Sequence, residues 1–410
     1  MPETPPPGAE PLDPVPAPRV LLAGGGTAGH VNPLLATAAA LREPALGGRE
    51  ETGILVLGTA EGLEAGLVPE AGFDMAVVPR VPMPRRPTGD LFMLPRRLSR
   101  AVGAAGEAIE AVDAQVVVGF GGYVSTPAYL AARRAGVPVV IHEQNARPGL
   151  ANRLGASWAA AVALTFASTP LRSSKGRTEV TGLPLRPAIG ELVARLAEPD
   201  GAAAARRSGA AALGLDPRAP TVLITGGSLG AQRLNEVLAA ALPSLSPDLQ
   251  VLHLTGRDKD GPVRAAVEAA VADGAAADLA ERYHVLDYLV AMEQAYACAD
   301  GVICRSGAGT VAELTALGLP ALYVPLPIGN GEQRLNAADV VAAGGGRLVA
   351  DARLTAADVV DFTALLTRPA ERGAMAAAAA STGVRDGARR LADLIRTVAR
   401  EGSPSPRRKA

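Results

Sequence analysis

The residues best suited to chemistry sit in and just after glycine clusters. Gly24-Gly25-Gly26-Thr27-Ala28-Gly29 follows the apolar run Val20-Leu21-Leu22 and leads directly into His30. Bare backbone at such a turn lets amides approach a phosphate or a sugar diphosphate, at the positive end of the helix that follows. The pattern also matches the dinucleotide fingerprint G-x-G-x-x-G. That reading requires an acid near the end of the next strand to hold a ribose. Here the strand ends Leu57-Gly58-Thr59, and Glu61 comes too late. His30, beside an open glycine loop, is the candidate to face a cleft and move a proton. The plainer alternatives are a surface histidine and a tight structural turn.

Further polar groups stand at other strand ends. His142-Glu143-Gln144-Asn145 comes directly after an apolar run, and Phe120-Gly121-Gly122-Tyr123 after another. Substrate contact is one reading, and loop hydrogen bonding the other. Gly226-Gly227-Ser228-Leu229-Gly230 is a second anion nest, where Ser228 either caps its helix or donates to a phosphate. Thr310-x-x-Glu313 fits a capping box. Alternatively, the Glu313 carboxylate accepts hydrogen bonds from two ribose hydroxyls. Gln333 and Asn336 lie three apart on one helical face, and neutral amides suit sugar hydroxyls. Asp258-Lys259-Asp260 resembles a metal-holding acid pair but lies in a hydrophilic turn, so it reads as surface. No metal site and no required cofactor follow from the sequence.

These residues need a scaffold that brings strand ends together. Apolar runs at 54–58, 116–120, 137–142 and 161–166 follow the first glycine turn. Runs at 251–256, 283–288, 301–307 and 321–327 follow the second, which opens at Thr221. Ala- and Leu-rich helical stretches separate them. Strands alternating with helices predict α/β architecture with parallel sheets buried on both faces. Two glycine turns opening two such series predict two doubly wound, Rossmann-like domains facing a cleft, with ligands at the strand carboxyl ends. The expected division is a Pro-rich disordered tail at 1–18, an N-terminal domain at 19–186 and a C-terminal domain at 187–383. A helix at about 384–400, with Leu391, Leu394, Ile395 and Val398 at helical spacing, and a polar tail at 401–410 complete it.

Composition excludes several classes. With 40 Lys+Arg against 41 Asp+Glu and a net charge of -1, the chain lacks the basic excess of a nucleic-acid binder. Two cysteines, Cys298 and Cys304, exclude a disulfide-framed module. No secretory signal and no run of about 20 apolar residues is visible, which reads as a soluble cytoplasmic protein. One stretch is unusual: Arg85, Arg86, Arg96, Arg97 and Arg100 flank Leu91-Phe92-Met93-Leu94. It reads either as a half-buried helix with a solvated basic rim or as a monotopic patch for an anionic membrane surface.

Taken together, these segments resemble the MurG family of membrane-associated GlcNAc transferases of peptidoglycan synthesis. The resemblance runs from about residue 19 to 400 and rests on GGGTAGHVNPLLA, GFGGYVSTP, IHEQNARPGLANR, TGLPLR, TGGSLGAQRLN, ICRSGAGTVAEL and GNGEQRLNA, in the family's order. One departure is Ala28, where the family's loop usually has glycine. The resemblance implies a GT-B fold whose C-terminal helix crosses back to the first domain. It implies transfer of GlcNAc from UDP-GlcNAc to the muramoyl 4-hydroxyl of lipid I, with inversion, giving lipid II. Another GT-B transferase with a lipid or aglycone acceptor is the alternative. Implied donor contacts are Thr27, Ala28, Gly29, Asn145, Arg186, Ser228, Leu289, Ala308, Gly309, Thr310, Val311, Glu313 and Gln333, with Gly227 and Asn336 as additional candidates. His30 is the preferred base and Glu143 the second. The implied place is the cytoplasmic face of the cell membrane, bound peripherally to the anionic inner leaflet.

Overall fold

In the computed structural model, which describes residues 17–81, 90–227, 230–274, 278–328 and 330–402, the short apolar runs form buried strands. In the first half these are β1 (Arg19–Ala23), β2 (Gly53–Gly58), β3 (Asp74–Val77), β4 (Val116–Gly119), β5 (Val139–Glu143), β6 (Ala161–Leu164) and β7 (Arg177–Val180). They make one parallel sheet in the order β3-β2-β1-β4-β5-β6-β7. In the second half β8 (Thr221–Thr225), β9 (Gln250–Leu254), β10 (Tyr283–Leu286), β11 (Gly301–Cys304), β12 (Ala321–Tyr323) and β13 (Gly346–Leu348) follow. Their order is β10-β9-β8-β11-β12-β13, again all parallel.

Both sheets grow outward from a central first strand. β1 lies between β2 and β4, with Ala23 opposite Leu57 on one side and Gly119 on the other. β8 lies likewise between β9 and β11. The chain therefore reverses its direction of winding just where each glycine turn leaves its strand. That is the topological switch point, where open parallel sheets bind ligands.

Three strands carry no clear mark in the sequence. β3 and β7 are edge strands of mostly exposed or half-buried residues, and β13 has three residues, one buried. An edge strand with a solvated face does not need the continuous apolar run of a central one. The run at 321–327 is shorter than expected. It stops at Tyr323, ahead of Pro325 and Pro327, which cannot donate to a ladder.

The last helix, Gly387–Gly402, returns to the first sheet. Leu391, Leu394, Ile395 and Val398 are at most 4% exposed and pack with Val20, Leu22, Leu34 and Val118. Each such side chain contributes about 1.5–3 kcal/mol by leaving water. Arg396 donates to the Leu46 carbonyl, and Arg177 pairs with Glu401 at 2.6 Å. The helix thus extends two residues into the stretch expected as a polar tail. Residues 1–16 and 403–410, the bulk of the two expected tails, lie outside the described residues.

Candidate active site

The first glycine turn leaves β1 at the switch point and enters the helix Ala28–Arg42. Its Ncap, Thr27, is extended and makes no side-chain cap, and His30 N turns back to the Thr27 carbonyl at 3.0 Å, so among the described residues the amides of Ala28 and Gly29 are unspent. Ala28 begins the helix with ordinary backbone angles and is exposed, so the methyl that departs from the family pattern meets no obstacle.

His30 is half-buried against a second turn, Gly121-Gly122, which leaves β4. Gly122 has φ +81°, and a Cβ there would stand 2.7 Å from the Gly25 carbonyl, so only glycine lets the two turns meet. The His30 Nδ1 lies 3.2 Å from the Gly25 carbonyl and 3.0 Å from Thr27 Oγ1. A carbonyl only accepts, so a hydrogen bond to Gly25 requires the proton on Nδ1 and leaves the lone pair on Nε2; the Thr27 hydroxyl can accept from the same Nδ1–H. Among the described residues Nε2 makes no hydrogen bond. Burial lowers the His30 pKa from its ordinary value, and the hydrogen bond to Gly25 and the Glu64 charge oppose that fall in part. At neutral pH the ring is therefore neutral, as a base must be.

Glu64 escaped the sequence reading, which stopped at Glu61. It is fully buried, and its carboxylate accepts from Gly26 N (2.9 Å), Thr59 N (2.9 Å) and Thr59 Oγ1 (2.7 Å). Burial pushes its pKa up, but these hydrogen bonds outweigh burial and hold it below the usual carboxylate value. A Cβ on Gly25 or Gly62 would stand within 2.3 Å of a Glu64 oxygen, so both glycines make room for this carboxylate. Gly25 lies far from Glu64 in the chain, so nothing in the sequence marks this pairing.

The quartet that closes β5 and leads out of it differs from the substrate-facing reading. His142, Glu143 and Gln144 are at most 3% exposed and belong to the wall. His142 Nε2 pairs with the Gly182 carbonyl at 3.0 Å, and burial drops its pKa to about 4. Glu143 accepts from Asn145 N (3.0 Å), Gly149 N (3.0 Å) and Asn152 Nδ2 (2.8 Å). Burial raises its pKa and these bonds oppose the rise. Its geometry is that of a loop holder with its oxygens spent, not of a second base open to an acceptor. Asn145, half-buried, is the member of the quartet that reaches the cleft.

Across the cleft the second glycine turn leaves β8, with Gly227 N donating to Thr225 Oγ1 at 3.2 Å. Gly227 is exposed; Ser228 and Leu229 lie outside the described residues. The helix Ala308–Leu317 opens from the β11 end on Gly307 as Ncap, without a side-chain cap. Thr310 is therefore inside the helix, and the expected capping box with Glu313 does not form. Ala308, Gly309 and Thr310 are half-buried at this open end, and Val311 is buried behind them. Leu289 is half-buried against the same core, next to Val290, which is 79% exposed.

Several predicted donor residues are hydrogen-bonded to partners distant in the chain. Arg186 forks onto Glu313, with Nε to Oε1 at 2.7 Å and Nη2 to Oε2 at 3.1 Å, and the Tyr296 hydroxyl donates to the same carboxylate at 3.1 Å. Asn336, expected either to meet sugar hydroxyls or to lie on a solvated helix face, is 1% exposed. Its Oδ1 accepts from Ala146 N at 2.8 Å, and its Nδ2 donates to Asn145 Oδ1 and the Ser306 carbonyl, each at 3.3 Å. Ser168 Oγ donates to Asp339 at 3.0 Å, and Arg147 to the Asn330 carbonyl. Gln333 is half-buried, accepting from Leu326 N at 3.0 Å.

Asp258 lies in an exposed turn and Asp260 pairs with Arg264 at 2.8 Å. Cys298 and Cys304 are buried with free thiols. Among the described residues no group of three His, Cys, Asp or Glu is placed to hold a metal ion, and no helix is long and apolar enough to cross a membrane. The basic-apolar stretch enters the helix Asp90–Ala111. Met93 is 46% exposed, Arg96 and Arg100 are exposed, and Leu94 and Arg97 are half-buried. Arg85 and Arg86, with the side chains of Leu91 and Phe92, lie outside the described residues.

Comparison with known proteins matches these two halves to two domains. Residues 20–164 match the glycosyltransferase family 28 N-terminal domain, and residues 221–391 match the family's C-terminal domain. The protein is 51% identical over 346 residues to a Bifidobacterium longum protein, covering 82% of this chain and 86% of that one. It is 50% identical over 382 residues to one from Frankia casuarinae, covering 93% and 96%. Both relatives are named UDP-N-acetylglucosamine--N-acetylmuramyl-(pentapeptide) pyrophosphoryl-undecaprenol N-acetylglucosamine transferase. Among solved structures, Acinetobacter baumannii MurG superposes with a TM-score of 0.71 at 27% identity, covering 93% of this chain and 99% of that one. A Neisseria meningitidis UDP-GlcNAc 2-epimerase shares the fold at a TM-score of 0.63 and 16% identity, covering 93% and 99%. The architecture alone therefore does not decide the chemistry.

Proposed function

The chain belongs to glycosyltransferase family 28, in its MurG group, and we propose on that premise that it moves GlcNAc from UDP-GlcNAc to the muramoyl 4-hydroxyl of lipid I, giving lipid II. The observation that carries the mechanism is the His30 ring, whose Nδ1 is held on the Gly25 carbonyl and whose Nε2 lone pair is unspent. Nε2 takes the proton from the acceptor 4-hydroxyl as that oxygen attacks the anomeric carbon. The bond from that carbon to the diphosphate oxygen breaks on the opposite face, so the linkage inverts to β-1,4. The negative charge leaves with UDP. It is met by the open end of the helix Ala308–Leu317, whose first amides have no side-chain cap, a dipole already in place.

In this reading the main-chain dipoles stabilise the leaving group without a metal ion or cofactor. Thr27, Ala28, Gly29 and Asn145 meet the donor from the N-terminal side. Ser228 lies on the diphosphate, Leu289 beside uracil and Gln333 on the sugar. Glu313 and Arg186 reach the donor by exchanging their mutual hydrogen bonds for the ribose hydroxyls and diphosphate. Lipid I brings its prenyl chain to the anionic cytoplasmic face of the membrane, where the exposed Met93, Arg96 and Arg100 on the helix Asp90–Ala111 dock. No nucleic acid takes part.

The experiment is UDP release by the purified protein with UDP-GlcNAc, with and without a soluble lipid I analogue. Release that requires the analogue and yields a β-linked disaccharide is the expected result. Release without acceptor, or an α-linked product, contradicts the proposal.

A further inference from the structure

We propose that Glu64 is a positioning residue that polarises the base through a single peptide group. The Glu64 carboxylate accepts from the N–H of Gly26 at 2.9 Å, and the carbonyl of the same Gly25–Gly26 peptide faces His30 Nδ1 at 3.2 Å. Carboxylate, peptide and imidazole thus form one chain of hydrogen bonds in which each polarises the next. The inference rests on His30 as the base.

The chain does three things. It pins the glycine turn, because Glu64 is anchored on its other side by the backbone and hydroxyl of Thr59. It fixes the tautomer, because the Gly25 oxygen can only accept from Nδ1, which leaves the lone pair on Nε2. It also stabilises the product of proton transfer: once Nε2 takes the hydroxyl proton, the imidazolium Nδ1–H donates to an oxygen made more negative by the carboxylate. Glu64 stays ionised throughout, and no proton passes along the peptide. The arrangement does the work of a carboxylate set directly behind a histidine, with a peptide between the two.

The surroundings of His30 leave Glu64 as the charge coupled to the ring. Thr27, on its own helix, is neutral. The facing turn brings the backbone of Gly121 and Gly122, with Asn152 beyond it. The Asn152 amide joins neutral Tyr129 (2.8 Å) to Glu143 (2.8 Å), so that second carboxylate is already bound. The same turn carries Tyr123, with the Arg80 guanidinium 5.3 Å from its ring centroid.

Imidazole 15N spectra of the full-length protein test the proposal, with the His30 signals assigned by their loss in His30→Gln. In the wild type the neutral ring should carry its proton on Nδ1. A neutral ring protonated on Nε2 overturns the proposal, whether or not any Glu64 variant folds. In Glu64→Gln the ring should titrate at lower pH than in wild type. Its kcat should fall roughly tenfold, a part of the ~100-fold or more that follows loss of a base, while KM for UDP-GlcNAc moves less than twofold. An unchanged His30 titration in a folded Glu64→Gln means that Glu64 only packs, and the proposal fails. Unchanged turnover in His30→Ala would instead remove the base assignment and leave the tautomer and titration results standing as separate facts.

Discussion

The two glycine turns occupy the same place in two similar sheets, yet they are furnished differently. Around the turn after β1, buried carboxylates do the organising. Glu64 holds the glycine turn ahead of His30, and Glu143 holds the loop that carries Asn145. Across the cleft the helix Ala308–Leu317 presents main-chain amides at its open end, and no side chain caps it. The charged and amide side chains there are engaged with each other or with the opposite half. The contrast teaches a division of labour. Moving a proton requires one ring held in one tautomer, which takes a fixed network. Receiving a departing diphosphate requires many weak donors converging on it, which helix ends supply.

The contrast can be broken most directly at the base. His30→Ala should cut turnover roughly a hundredfold or more, with UDP-GlcNAc affinity, followed by calorimetry, nearly unchanged. On the other side, Arg186→Ala leaves Glu313, 10% exposed, with the Tyr296 hydroxyl as its one side-chain partner among the described residues. The expected loss of stability is about 2–3 kcal/mol, at the low end for a broken buried pair because Arg186 is 32% exposed. It should appear as a lower Tm together with a raised donor KM. A lower Tm with unchanged KM would make the pair purely structural.

Asn336→Ala sharpens the comparison at the seam. It removes the hydrogen bonds to Ala146, Asn145 and Ser306 and should lower kcat/KM about tenfold, the equivalent of roughly 1.4 kcal/mol. Small-angle scattering of the free protein should then report a wider particle. The smallest effect on chemistry is expected from replacing Leu91, Phe92 and Met93 by serine. Turnover on a soluble acceptor should stay within about twofold, whereas co-sedimentation with anionic vesicles should weaken. Vesicle binding indifferent to both this change and salt would contradict a membrane role for the patch.

The central strands and both glycine turns were legible because a strand buried on both faces must be a continuous apolar run. The edge strands β3 and β7 were not, since a solvated face relaxes that demand. His30 was legible from its position after the glycines. Its partner Glu64 was not, because a buried carboxylate looks like any surface acid until Gly25 and Gly62 are seen to leave space for it. The pairings Arg186–Glu313 and Asn145–Asn336 link residues 127 and 191 apart in the chain. Their types announced polar chemistry, but which partners they hold is decided by how the two sheets meet. The HEQN quartet misled for the same reason. Polar residues at a strand end can line a cleft or tie a loop, and three of these four sit in the wall.

The most direct test of the account is the pH dependence of kcat/KM, which reports the free enzyme's essential groups. The neutral ring is the active form, so the rate should rise with pH through the His30 pKa and level off above it. Because burial depresses that pKa, the rise should be centred below the ordinary histidine value of 6.5, and the same limb should be missing from the residual activity of His30→Ala. A limb centred at or above 6.5, or one that survives unchanged in His30→Ala, would contradict the claim that this ring is the base.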